Sequence, residues 1–78
     1  MPELDLTQLK VGETGKVVEI MGGIGLIKKL AVMGVTIGTD VKKISAQFMG
    51  GPVTIQVGNT QLTIGFGMAK KIIVEQEK

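Results

Sequence analysis

The chain has 78 residues, of which 44% are hydrophobic and 21% are charged, and its formal net charge is +2. This composition is typical of a small folded domain and excludes a disordered chain. No apolar run approaches the roughly 20 residues that a membrane-spanning helix needs, and the acidic N-terminus lacks the apolar segment of a signal peptide. We therefore expect one domain over residues 1–78, in the cytoplasm, with no direct membrane insertion.

The first predicted elements are a strand and a helix. "GKVVEIM" (Gly15–Met21) is rich in β-branched residues, which favours a strand. From about Gly25 to Met33 the apolar residues fall on one broad side of a 3.6-residue wheel. Gly34 then stands where a left-handed residue would end the helix. The predicted docking side is Leu26, Ile27, Leu30, Ala31 and Met33, and the predicted outer side is Lys28, Lys29 and Val32.

Four further strands are predicted in the second half of the chain. In "TDVKKISAQF" (Thr39–Phe48), Val41 and Ile44 are out of phase, which indicates a bulge or bend. "PVTIQV" and "TQLTI" alternate cleanly on either side of Gly58–Asn59, a two-residue hairpin turn. In that register Val57 faces Thr60, Ile55 faces Leu62 and Val53 faces Ile64. "KIIVE" (Lys71–Glu75) is the last predicted strand.

These elements predict the fold class. It is mainly β: a small barrel of about five strands with one short α-helix inserted after the first strand, since closure removes exposed strand edges. The predicted core consists of strand residues with inward phase: Val17, Val41, Ile44, Ile55, Leu62, Ile72 and Val74.

The residue types exclude most site chemistries. Histidine and cysteine are absent, so the usual ligands for zinc, iron or copper and the common nucleophile–base pairs are missing. The carboxylates are scattered, and the five methionines are spread along the chain as core fillers would be. We expect no enzymatic activity, no metal site and no cofactor.

Nucleotide and nucleic-acid binding are not expected either. "GGIGLIKK" lacks the third glycine of a dinucleotide-binding loop, and "GETGKV" has neither the spacing of a P-loop nor its following serine or threonine. The basic residues are nine lysines and no arginine, and Phe48 and Phe66 are the whole aromatic complement. Nucleic-acid binders usually carry denser basic patches and stacking platforms.

Several short motifs, each weak by itself, occur in an order that is typical of a known family, and together they cover nearly the whole chain. They are the leucine–x–x–leucine before Val11–Gly12, "GG" at Gly22–Gly23, "KKL" before "MGVTIG", "GGPV", the glycine-centred hairpin, and Ala69–x–x–Ile72. In this order the chain closely resembles the ferrous iron transport protein A (FeoA) family. Ile37, where the family often has proline, and the lysine-only basic complement are departures from its pattern.

The resemblance implies an SH3-like barrel, a domain that also occurs fused to metal-responsive repressors. It implies a cytoplasmic accessory protein of ferrous iron uptake that binds the cytoplasmic region of a FeoB-type transporter, a membrane protein with a GTPase domain. Modulation of GTP hydrolysis, of assembly or of gating all remain open, although an arginine finger is impossible without arginine. Weak self-association also stays open.

Two segments are candidates for partner contact. The first is Ile24, Lys28, Lys29 and Val32, where an apolar residue lies among lysines; an ordinary exposed valine is the alternative interpretation. The second is Phe48 and Met49, beside Gly50–Pro52, which could instead close one end of the barrel.

Two other functions remain as alternatives to the transporter accessory. One is a stand-alone regulatory module that binds a transcription factor, and the other is a nucleic-acid-binding SH3-like barrel. Salt-dependent binding to duplex DNA or RNA would favour the latter.

Overall fold

The computed structural model describes residues 3–47 and 49–77, and strands dominate it. The six strands are β1 (Glu3–Asp5), β2 (Thr14–Ile20), β3 (Asp40–Ala46), β4 (Val53–Val57), β5 (Thr60–Ile64) and β6 (Ile72–Gln76). The two helices are α1 (Ile24–Val32) and α2 (Phe66–Ala69).

The strands form one antiparallel sheet in the order β1-β6-β2-β3-β4-β5. The predicted mainly β class is confirmed, but the prediction of about five strands and one helix missed β1 and α2. These elements have three and four residues, too few to show a hydrophobic period. The long helix consequently follows the second strand instead of the first. No ladder joins β1 to β5 within residues 3–47 and 49–77, so the barrel is not closed by backbone pairing there.

The predicted hairpin is confirmed residue by residue. Val57 pairs with Thr60, Ile55 with Leu62 and Val53 with Ile64. At the turn, Gly58 has φ +60°. Asn59 is not among the described residues with positive φ, so the turn has the single positive φ of type II′, with glycine at the position that needs it.

The irregularity predicted in the third strand is also confirmed. The register of β3 against β4 shifts between Lys43 and Ser45. Lys43 lies before this shift and two residues after the buried Val41, so the alternation of the strand gives it the inward position, and it is buried. Ile44, predicted to be core, is only half-buried.

The buried core draws on every strand except β1. Of the predicted core residues, Val17, Val41, Ile55, Ile72 and Val74 are fully buried. Leu62, on the edge strand β5, is only half-buried, whereas Ile64 on the same strand is fully buried. Further buried residues are Leu6, Leu9, Ile20, Leu30, Val35, Val53, Ile64 and Ala69.

A single capped turn after β1 accounts for the burial of Leu6 and Leu9. The Asp5 carboxylate accepts hydrogen bonds from the backbone N–H groups of Thr7 and Gln8, at 2.8 and 3.2 Å. The Asp5 N–H in turn donates to the side chain of Gln8 at 3.0 Å. This reciprocal arrangement is a capping box, and it directs both leucines into the core, where each is at most 1% exposed.

Candidate functional site

The helix α1 packs on the sheet through a narrow stripe. Leu30 is fully buried, and Leu26 and Met33, four residues before and three after it, are half-buried. Gly22 lets the helix approach the chain that leads into it, since a Cβ there would lie 2.6 Å from Leu26 Cδ2. The predicted docking of Leu26, Leu30 and Met33 is therefore confirmed.

The rest of the predicted docking side faces outward. Ile27 is 42% exposed and Ala31 is also exposed, so their assignment to the docking side was wrong. The physical reason is that a two-turn helix lying on one sheet buries a stripe narrower than the broad apolar side seen on the wheel. The helix therefore has more exposed apolar surface than the sequence predicted.

A Schellman motif fixes the end of α1. Gly34 has φ +90°, its N–H donates to the Ala31 carbonyl at 3.0 Å, and the Val35 N–H donates to the Leu30 carbonyl at 2.8 Å. This motif is usually accompanied by a hydrophobic contact between the two residues of the second bond. Here they are Val35 and Leu30, and both are buried in one core cluster. The predicted left-handed glycine is thus confirmed, and the helix ends there.

We define the α1 outer face as the exposed residues Ile24, Ile27, Lys28, Lys29, Ala31 and Val32. Ile24 is 71% exposed and Val32 is 90% exposed, large fractions for apolar side chains on an ordered helix. All four residues predicted for partner contact on this helix are therefore at the surface. Ile27 was missed because the wheel placed it with the core.

The α1 outer face is positively charged. Helix α1 has no acidic residue, and Lys28 and Lys29 form no salt bridge with any side chain in the described ranges. A salt bridge elsewhere in the structure joins Lys16 and Asp40 at 3.6 Å, between β2 and β3. The two helix lysines thus remain available for a partner.

A shallow open groove of about 430 Å³ lies where the end of β2 meets α2 and the residues that lead into β6. Met21, Gly67, Lys70 and Lys71 line it. The Met21 N–H donates to the Lys71 carbonyl at 2.6 Å, which holds the end of β2 against the start of β6. The groove therefore combines an apolar side chain with two lysines.

The second predicted contact segment lies in the loop between β3 and β4. Met49 is completely exposed and has φ +63°, and Gly50 follows with φ +75°. Met49 therefore does not close the end of the barrel. Phe48, the other predicted residue, lies outside the described residues.

Lys43 is a buried charged residue that the sequence analysis did not single out. It is 4% exposed, and its Nζ donates to the Leu9 carbonyl at 2.6 Å and to the Thr7 carbonyl at 3.1 Å. Burial lowers the pKa of the Lys43 ammonium, and the nearby Asp5 carboxylate acts in the opposite direction. Both contacts are to backbone carbonyls of the capped turn, so this lysine holds the fold together.

The described part of the chain contains no group of three or more acidic side chains placed to hold a metal ion. Neither of its helices has the length and apolarity needed to cross a membrane.

The chain is similar to known proteins both in sequence and in structure. A family model described as "FeoA domain" matches residues 4–76. The chain is 41% identical over 66 residues to a protein of Methanocaldococcus jannaschii named "Putative Fe(2+) transport protein A", an alignment covering 85% of this chain and 78% of the relative. A crystal structure of an iron uptake regulatory protein (FeoA) superposes with a TM-score of 0.88 at 31% identity, covering 99% of this chain and 100% of the other.

The same fold occurs as part of a larger regulator. A manganese-dependent transcriptional repressor superposes with a TM-score of 0.88 at 18% identity, covering 97% of this chain and 42% of the repressor. At that identity the match shows the fold alone. The structural matches confirm the predicted SH3-like barrel, and the family model covers nearly all of the sequence; the chain belongs to the FeoA domain family.

Proposed function

We propose that this protein is a small cytoplasmic accessory of ferrous iron uptake that binds the cytoplasmic region of a FeoB-type transporter through the α1 outer face. It acts by binding and not by catalysis. Membership of the FeoA domain family supports the link to iron uptake, as does the relative named for Fe(2+) transport. The choice of surface depends on the helix geometry.

The observation that carries the proposal is the exposure of three apolar side chains on one short helix. Ile24, Ile27 and Val32 are between 42% and 90% exposed. Single exposed apolar residues are common, but a group of them on one short element marks an interaction site more often than chance. Burying such a group supplies the apolar centre that protein interfaces require.

The positive charge of the α1 outer face indicates which kind of partner surface would fit it. Lys28 and Lys29 lie between the exposed apolar residues and have no acidic neighbour on the helix. A complementary surface has an apolar pocket with carboxylates at its rim, because opposite charges raise the association rate and fix the orientation. We therefore expect an acidic, partly apolar patch on the cytoplasmic region of the transporter.

The test uses a triple variant, Lys28→Glu/Lys29→Glu/Val32→Ser, and binding to the purified cytoplasmic region of the transporter measured by biolayer interferometry. We expect the dissociation constant to rise at least about ten-fold, which corresponds to about 1.4 kcal/mol. The thermal midpoint should stay nearly unchanged, because exposed substitutions usually change stability by less than about 0.5 kcal/mol.

The matched control is Lys10→Glu/Lys42→Glu, which makes the same change in charge at two exposed lysines away from α1. It should bind the transporter region like the wild type. Unchanged binding of the triple variant would contradict the proposed surface and make the Met49 loop the next candidate. Equal loss in both variants would show that only net charge matters.

A further inference from the structure

Strand β5 has one edge without a partner. It pairs with β4 along its whole length, and no backbone hydrogen bond reaches its other side from residues 3–47 or 49–77. Residues flanking a two-residue turn exchange both hydrogen bonds, so the backbones of Thr60, Leu62 and Ile64 point to β4. The backbone N–H and C=O groups of Gln61 and Thr63 point away from it, and both residues are exposed.

This edge lacks the usual protection against pairing. Natural edge strands carry charges, proline or bulges that prevent association with another strand. The chain has no charged residue anywhere in 44–69, and β5 contains no proline and shows no register shift against β4. The opposite edge differs, because β1 is three residues long and carries Glu3 and Asp5.

We propose that a second copy of this chain pairs with the β5 edge, strand β5 against strand β5, in an antiparallel two-fold dimer centred on Leu62. Gln61 of each copy then lies opposite Thr63 of the other. Each of these two pairs exchanges two backbone hydrogen bonds, giving four across the axis. All outward backbone groups of both strands are satisfied in that register.

The choice of a second copy follows from the uncharged edge and from its outward backbone groups, whose pattern matches itself in an antiparallel pair. An isologous interface needs a patch that matches itself, and the outward groups are symmetric about Leu62. The two Leu62 side chains, half-buried in the monomer, meet across the axis in the closely spaced, non-hydrogen-bonded pair. No like charges oppose each other there, although the chain as a whole is positively charged.

The contact is short, so the dimer is weak. One five-residue strand per copy forms an interface below the roughly 1,200 Å² typical of stable complexes. Dimerisation is therefore expected at high micromolar to millimolar concentration, and sedimentation velocity over that range measures it. In the wild type, hydrogen exchange at the Gln61 and Thr63 amides should slow as the concentration rises, while the exposed amide of Gly25 on α1 should not change.

Charged substitutions on β5 test the proposed register of the β5–β5 pair. Gln61→Lys/Thr63→Lys puts like charges opposite each other in both pairs, and should weaken dimerisation about ten-fold or more. Gln61→Lys/Thr63→Glu puts Lys opposite Glu across the axis and should restore it. The control Thr54→Lys/Gln56→Lys adds the same charge on the same face of the neighbouring strand β4, and should weaken dimerisation far less.

Clear outcomes would overturn the proposal. A wild-type protein that stays monomeric at millimolar concentration contradicts it, as does a dimer that the Lys/Lys variant leaves intact. A dimer that the Lys/Glu variant fails to restore contradicts the antiparallel register, provided that circular dichroism shows the variant folded. Amide hydrogen exchange is measured on the wild-type protein. It therefore tests the dimer even if a variant fails to fold. The result is independent of transporter binding, which involves α1.

Discussion

The Nζ of Lys43 donates a 2.6 Å hydrogen bond to the carbonyl oxygen of Leu9, so a side chain from the third strand fastens the turn that follows the first. A second bond from the same ammonium reaches the Thr7 carbonyl at 3.1 Å. The turn begins at Asp5, whose carboxylate caps it. Leu6 and Leu9 enter the core from this turn, so the buried ammonium fixes the position of two core residues.

Replacing Lys43 by Met should destabilise the fold. The apolar stem is retained in length, but the Thr7 and Leu9 carbonyls lose their donor, and an unsatisfied buried acceptor costs about 1–3 kcal/mol. Part of this cost is offset because the desolvated charge is removed. Chemical denaturation at pH 7 measures the difference. Lys42→Met, one residue earlier and exposed, is the control and should change the free energy of unfolding little.

The same lysine predicts a dependence of stability on pH. Burial lowers the pKa of Lys43 in the folded chain, whereas the unfolded value is about 10.4. Between these two pKa values the unfolded chain binds more protons, so the free energy of unfolding rises with pH there. The wild type should therefore gain stability relative to Lys43→Met as the pH approaches about 10.4. A constant difference across that range would contradict a lowered pKa.

Some parts of this structure can be predicted from the sequence and others cannot. The β4–β5 hairpin was predicted to the residue because turn and alternation are local and both specify one register. The bulge in β3 was predicted from its phase slip, but not that Lys43 fills the inward place, because its two carbonyl partners are more than thirty positions away in the sequence. The exposure of Ile27 was missed because the width of a docking stripe depends on the opposing sheet.

Truncating Leu30 to alanine should cost much of the stability of the domain. Leu30 is the one fully buried side chain of α1, and removing a buried leucine costs about 2–5 kcal/mol. Val32→Ala, two residues later and 90% exposed, is the matched control and should change stability by less than about 0.5 kcal/mol. Thermal melts of both variants provide the comparison. Similar midpoints for the two would contradict the orientation of α1.

Two glycines should respond to alanine in opposite directions. At Gly15 in β2, a Cβ would lie 2.8 Å from Val74 Cγ2 and 2.9 Å from Val74 Cβ, and Val74 is fully buried. Gly15→Ala should therefore destabilise the fold by about 1–3 kcal/mol through overpacking. At Gly25 in α1 an added Cβ would meet no side chain and no backbone from outside the helix within 4 Å, so Gly25→Ala should stabilise the fold by up to about 1 kcal/mol through helix propensity.

Denaturant titrations of the two variants test these signs. A neutral Gly15→Ala would mean that β2 and β6 can move apart at no cost, in conflict with the pairing of Val17 with Val74. A destabilising Gly25→Ala would mean that the start of α1 is in contact with another part of the chain.

The purified domain should not retain ferrous iron. The sequence has neither imidazole nor thiolate, and the described residues offer no group of three acidic side chains that could hold a metal. Isolated carboxylates bind Fe(II) too weakly to survive separation from free metal. The test is anaerobic mixing of the tag-free protein with Fe(II), gel filtration, and an iron assay of the protein peak. Iron at one equivalent per chain would contradict this expectation. Iron at background level would mean that any iron dependence of complex formation enters through the partner, since this chain would then present the same α1 outer face with and without the metal.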